Sequence, residues 1–107
     1  MPRGFSGMVD LVRQAQKMQQ RLAEVQQGLK ERVVEGTAGG NMVRVLVNGQ
    51  QEVVAVKIDP SVVDPNDVTM LEDLVLAAAR QGLKKAHDLA QDEMGKVTGG
   101  VNLPGMF

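Results

Sequence analysis

Val43-Arg44-Val45-Leu46-Val47-Asn48-Gly49 decides the fold. Val43, Val45 and Val47 recur at the two-residue period of a strand with one buried face. Asn48-Gly49 then supplies residues that tolerate positive φ, as a tight hairpin requires. The return strand runs from Glu52 to Ile58, and its apolar residues Val53, Val54, Val56 and Ile58 do not keep to one face. A bulge, or a sheet covered on both sides, is therefore expected. Upstream, Val33-Val34-Glu35-Gly36-Thr37-Ala38-Gly39-Gly40 reads as a short strand entering a glycine turn.

Outward from these strands the period changes from two to that of a helix. On the N-terminal side Met8, Leu11, Ala15, Met18, Leu22, Val25 and Leu29 are spaced alternately by three and four residues. This is a heptad-like seam on one long amphipathic helix, expected to stop near Lys30 because Gly28 lies near its end and the β-branched Val33-Val34 follow. On the C-terminal side Asp59-Pro60 closes the last strand and Asp64-Pro65-Asn66-Asp67 makes a turn. Thr69 with Glu72 fits a capping box, and Leu71, Leu74, Val75, Ala78, Leu83, Ala86, Leu89 and Ala90 carry a second helix to about Met94. Ala77, Ala78, Ala79 and Gly82 form a patch of small residues where another backbone could come close. Residues 1–7 and 95–107 read as flexible tails. The order helix, three strands, helix is an α+β chain with two long helices and a small antiparallel sheet, in a single domain over residues 1–107.

Composition bounds the function. In 107 residues, 43% are hydrophobic but only 2% aromatic, so the core must be built from Val, Leu, Ala and Met. Burial across a symmetric partner would relieve that shortage. The absence of cysteine excludes disulfides, thiolate metal sites and a cysteine nucleophile, and fits a reducing cytoplasm. Neither a secretory apolar segment nor a membrane span is visible, so a soluble intracellular protein with no membrane partner is expected.

Catalytic chemistry is missing. The sole histidine, His87, adjoins Asp88, which points elsewhere on a helix and cannot orient it. No Walker A loop exists, and Gly36, Gly39 and Gly40 do not fit a dinucleotide fingerprint. Asp64-Pro65-Asn66-Asp67 lacks calcium-loop spacing, Glu72 and Asp73 are simpler as acids in a first helical turn, and the seven methionines come with no other soft ligand. No enzyme, cofactor, metal or small-molecule substrate is expected.

Charge is more informative in its placement than in its total of -1. Residues 1–30 carry Arg3, Arg13, Lys17, Arg21 and Lys30 against only Asp10 and Glu24, whereas residues 31–69 are acidic. Arg13, Lys17 and Arg21 recur every four residues as a cationic stripe off the apolar seam. Arg80 and Lys84 repeat that spacing on the second helix, with Lys85 adjacent. Such stripes neutralise phosphates and release counterions, although from charge alone a solvated helix face is the simpler explanation. Phe5 and Phe107, the only aromatics, sit in terminal segments. Without stacking platforms, duplex backbone contact is favoured over single strands or RNA.

Ordered segments add a resemblance. Gln14-Ala15-Gln16-Lys17-Met18-Gln19, the hairpin Val43 to Gly49, Val56-Lys57-Ile58-Asp59-Pro60, Leu71-Glu72-Asp73-Leu74-Val75 with Ala77-Ala78-Ala79, and Leu103-Pro104-Gly105-Met106-Phe107 together resemble the YbaB/EbfC family of bacterial nucleoid-associated proteins. The resemblance covers nearly the whole chain. It implies an α-β-β-β-α protomer that dimerises through its strands, with helices projecting like the arms of tweezers. It also implies binding of duplex DNA with little sequence preference, in the nucleoid, affecting nucleoid organisation and gene expression. The DNA contact then falls to the helical arms and, by region and charge, to Arg13, Lys17, Arg21, Arg80, Lys84 and Lys85. The competing expectation is an adaptor that recruits another protein through the seam and the small-residue patch, with weak or no DNA binding.

Overall fold

The structure, a computed structural model, describes residues 3–97, with side chains from Gly7 onward. Its elements are α1 (Arg3–Glu31), β1 (Val33–Ala38), β2 (Val43–Asn48), β3 (Val53–Ile58), a 3-10 turn (Pro60–Val62) and α2 (Val68–Val97). The expected α-β-β-β-α order and antiparallel sheet are present. Both helices are longer than their apolar patterns, α1 starting before Met8 and α2 passing Met94 to Val97. Residues 98–107, which include Leu103 to Phe107, and the side chain of Phe5 lie outside the described residues.

β2 is the middle strand, paired antiparallel with β1 and β3. Its alternation works as read: Val43, Val45 and Val47 are at most 1% exposed and pack under Ala78 and Ala86 of α2. Ala78, Gly82 and Ala86 recur every four residues, so they form one buried strip of the helix. At Gly36 of β1 an added Cβ would overlap the Ala78 carbonyl and the Gly82 nitrogen. The small-residue patch is therefore where a backbone approaches closely, and that backbone is the chain's own β1.

α2 lies over β1 and β2 but not over β3. Val53, Val56 and Ile58 pair with Val47, Val45 and Val43, so they share the helix-facing side, yet they are 49%, 49% and 39% exposed. The register shifts opposite Leu46 and Val47, which places a bulge at Val54. That bulge accounts for the irregular apolar pattern of β3, and among the described residues most of β3 is left exposed on both faces.

The turns follow local chemistry, with two departures from the sequence reading. Gly39, Gly40 and Asn41 take positive φ between β1 and β2. In the β2–β3 turn, however, the left-handed residue is Gln51 (φ 64), not Asn48 or Gly49. Asn48 is 3% exposed and its Oδ1 accepts from the Gln50 and Glu52 amides at 2.9 and 3.1 Å. Gly49 is needed for proximity instead. Its amide donates to the carbonyls of Leu29 and Arg32 at 2.8 and 2.9 Å, and a Cβ there would lie 2.6 Å from the Leu29 oxygen. At the start of α2 the cap is Asp67, whose carboxylate accepts from the Met70 amide at 3.2 Å, rather than the Thr69–Glu72 box.

Two carboxylates link the fold to pH. Hydrogen bonds from Ser61, first its backbone N–H and then its side chain, hold Asp59 below its ordinary pKa. Hydrogen bonds from Lys96 and then Arg32 do the same for Glu93. A depressed folded-state pKa contributes stability above the unfolded value, and that stability is lost as pH falls through the folded value. The urea midpoint should hold from neutrality to about pH 5 and decline below about pH 4, less steeply in Asp59→Asn and Glu93→Gln. Packing makes a second expectation. Gly36→Ala should cost at least about 2 kcal/mol, because both obstructing groups are backbone. Gly28→Ala, where a Cβ meets nothing within 4 Å, should stabilise by about 0.5–1 kcal/mol. Thermal melts of the two variants check the contrast.

Candidate nucleic-acid interface

α1 is a 29-residue helix, about 43 Å long, and from Gly7 onward only its last turns are packed among the described residues. Leu29 is buried, Leu22 and Val25 are half-buried, and every residue from Gly7 to Arg21 is exposed. The packed end is clamped by the β2–β3 hairpin. The Gly49 amide caps the Leu29 carbonyl, and Gln50 Nε2 donates to the Gln26 carbonyl at 2.8 Å. The first bond satisfies a carbonyl that the end of a helix leaves open, and the second adds a donor to a carbonyl one turn further in. α2 braces the same end: Gln26 and Leu29 line a recess with His87, Ala90, Gln91 and Met94, and Arg32 Nη1 meets Glu93 Oε1 at 2.6 Å. Lys96 joins the same carboxylate at 3.0 Å. The free part of α1 is thus an arm with a fixed base.

Arg13, Lys17 and Arg21 lie on that arm, exposed and at four-residue intervals. Among the described residues none makes an ion pair or a side-chain hydrogen bond. Successive cations advance about 6 Å along the axis, close to two phosphate steps of one DNA strand, about 6.8 Å. Asp10 and Glu24 bracket the stripe without closing an ion pair on it.

The second set lies elsewhere. Arg80 and Lys84 are exposed on the part of α2 that crosses the sheet and are likewise unpaired among the described residues. Lys85 differs, because its Nζ donates to the Glu35 carbonyl at 2.9 Å. With Gln81, whose Oε1 accepts from the Thr37 amide at 2.7 Å, Lys85 occupies the outer edge of β1. The two cationic sets lie on different helices, and among the described residues no hydrogen bond or ion pair joins them.

Three features escaped the sequence reading. Arg32 reaches Glu93 across 61 positions, which no local pattern reveals, although the Glu93–Lys96 spacing is visible. The hairpin clamp depends on a chain reversal. Arg44 and Lys57 are direct cross-strand partners on the sheet face away from α2, a register that follows from the bulge. His87 faces glutamines and apolar groups in the recess. Among the described residues there is no cluster of three potential metal-binding side chains, and no helix is long and apolar enough to cross a membrane.

Comparison with known proteins agrees with this architecture. The model of the YbaB/EbfC DNA-binding family matches residues 4–101. A nucleoid-associated protein of Clostridium kluyveri is 50% identical over 104 residues, 97% of this chain and 91% of that protein. Another, from Thermoanaerobacter pseudethanolicus, is 47% identical over 106 residues, 99% of this chain and 95% of that protein. In fold, the chain is similar to a crystal structure of an uncharacterized Helicobacter pylori protein, with a TM-score of 0.70, 21% identity, and coverage of 92% of this chain and 98% of that one. On the family match and these identities, the chain belongs to the YbaB/EbfC DNA-binding family.

Proposed function

We propose that this protein is a homodimeric nucleoid-associated protein that binds duplex DNA through its helical arms with little sequence preference. In this reading it works in the nucleoid, in organising DNA and affecting gene expression. The observation that carries the proposal is the arm itself: a clamped helix with fifteen successive exposed residues from Gly7 to Arg21 and three cations left without protein partners among the described residues. Phosphate is the partner that suits them, because a row of unpaired cations at this spacing gains most from a polyanion with released counterions. The family membership and the names of the relatives support the same ligand.

The dimer reading rests on the asymmetry of the two sheet edges. Lys85 and Gln81 satisfy backbone groups on the outer edge of β1, whereas among the described residues no side chain does so for β3, which exposes Val53, Val56 and Ile58. Beside β3 an apolar recess is lined by Ile58, Leu71, Val75, Leu76 and Ala79. An open edge with an apolar flank is a template for strand pairing. A second β3 would be self-complementary about a two-fold axis. The dimer then presents two arms, and the contacts assigned to DNA are Arg13, Lys17, Arg21, Arg80 and Lys84. Lys85 contributes less, since its ammonium holds the Glu35 carbonyl.

The adaptor reading loses half of its basis, because Ala78 and Gly82 are already engaged by β1. Gel-shift titration separates the two readings. With five cations on each protomer, about ten phosphate contacts per dimer, affinity should drop roughly 10^5-fold between about 50 and 200 mM salt. Arg13→Ala/Lys17→Ala/Arg21→Ala should abolish the shift while circular dichroism stays unchanged. A wild-type protein that fails to shift duplex DNA at micromolar concentration would favour the adaptor. Val56→Glu should convert the dimer to a folded monomer of about 11.5 kDa by sedimentation and weaken DNA binding by halving the footprint.

A further inference from the structure

The arm carries a second feature that DNA contact does not use. Along α1 the seam Met8, Leu11, Ala15, Met18, Leu22, Val25, Leu29 keeps its alternation of three and four throughout, but among the described residues only its end is covered. Met8 and Leu11 are each 66% exposed, Val12 55% and Met18 37%. We propose that this uncovered seam packs against the same seam of α1 from a second copy of the chain, so that arms pair with arms.

The spacing identifies the kind of occupant. A seam repeating every 3.5 residues fits another helix of the same repeat, knob into hole, better than a flat surface. The covered end already lies beside a helix, with Leu29 sharing one recess with Ala90 and Met94 of α2. Flanking charge identifies which helix. With Met8 at position a and Leu11 at d, the residues beside the free seam are Val12, Gln14 and Gln19, all uncharged. Arg21 is the first charge to border it. Two copies of α1 can therefore approach without like-charge repulsion at positions e and g, where pairing specificity is usually set. Arg13 and Lys17 fall at f and c, on the outside of such a pair, and stay available to phosphate. About two heptads are free, too few for a stable isolated coiled coil. Pairing should consequently depend on concentration and rise when molecules gather on DNA.

The chain has no cysteine, so a single introduced thiol reports on the seam alone. Ala15 is exposed and central in the free stretch. In either a parallel pair or an antiparallel pair centred on residues 8–18, two Ala15 positions lie within about one helical turn, about 5–6 Å along the axis. Ala15→Cys treated with a bismaleimide of about 10 Å span should give a covalent dimer whose yield rises with protein concentration. Gln20→Cys, at the outward f position, should remain monomeric on denaturing gels. Adding Leu11→Glu to Ala15→Cys should abolish the crosslink, and since Leu11 is exposed that variant keeps its fold. Equal crosslinking at both positions, or none with Ala15→Cys, overturns the proposal. So does an Ala15→Cys protein whose thiol resists alkylation without crosslinking, which would put another segment of the chain on the seam. The reagent reads the arm and not the β3 edge, so failure here leaves the DNA and β3-dimer readings standing, and their failure leaves this one testable.

Discussion

Backbone meets backbone where Gly36 of β1 passes Ala78 and Gly82 of α2, and the rest of the molecule is arranged around that contact. No side chain larger than hydrogen fits at Gly36, so the helix sits closer to β1 than an ordinary helix–sheet layer permits. With so few aromatic residues, close approach replaces bulk. Three valines of β2 fill the space beneath the strip of Ala78, Gly82 and Ala86, and they are fully buried although each is small. The contact also fixes which strands α2 covers. Centred on β1 and β2, the helix leaves β3 bare and places Gln81 and Lys85 over the outer edge of β1. One edge of the sheet is closed and the other open as a consequence of a single packing decision.

The course of α2 also determines the arm. Beyond Ala86 the helix reaches the C-terminal end of α1, where it shares Leu29 with the hairpin turn and exchanges charge with Arg32 through Glu93. α1 therefore has one packed end and one free end. On the free end an apolar seam and a cationic stripe lie on different faces, so one helix can meet two different kinds of surface at once. The salt bridges at the base are exposed and individually weak. The Gly49 and Gln50 hydrogen bonds and the burial of Leu29 are what hold the arm in place.

Local features were legible in the sequence and shared ones were not. The alternation of Val43, Val45 and Val47, the Gly39-Gly40 turn and the two helices follow from patterns within a few residues, and they gave the element order correctly. The seam was legible as well. Its division into a covered end at Leu22, Val25 and Leu29 and a free end at Met8 to Met18 was not, because the cover comes from α2. Gly49 looked like a turn glycine, but its reason is the Leu29 carbonyl, which is near only after the chain reverses. Lys85 looked like part of a cationic stripe, but its ammonium answers a carbonyl on β1. Thr69 and Glu72 matched a capping box placed too late in the chain, and Asp67 took the role because the helix starts at Val68.

The central claim is that DNA lies against the arm cations and not against the sheet. Amide chemical shifts recorded while a short duplex is titrated into the protein test it most directly, since every element reports separately. The account predicts shifts along α1 around Arg13, Lys17 and Arg21 and on α2 around Arg80 and Lys84, reversed by added salt, with β2 unmoved. Shifts concentrated on the open sheet face around Arg44 and Lys57, with the arm silent, would contradict it.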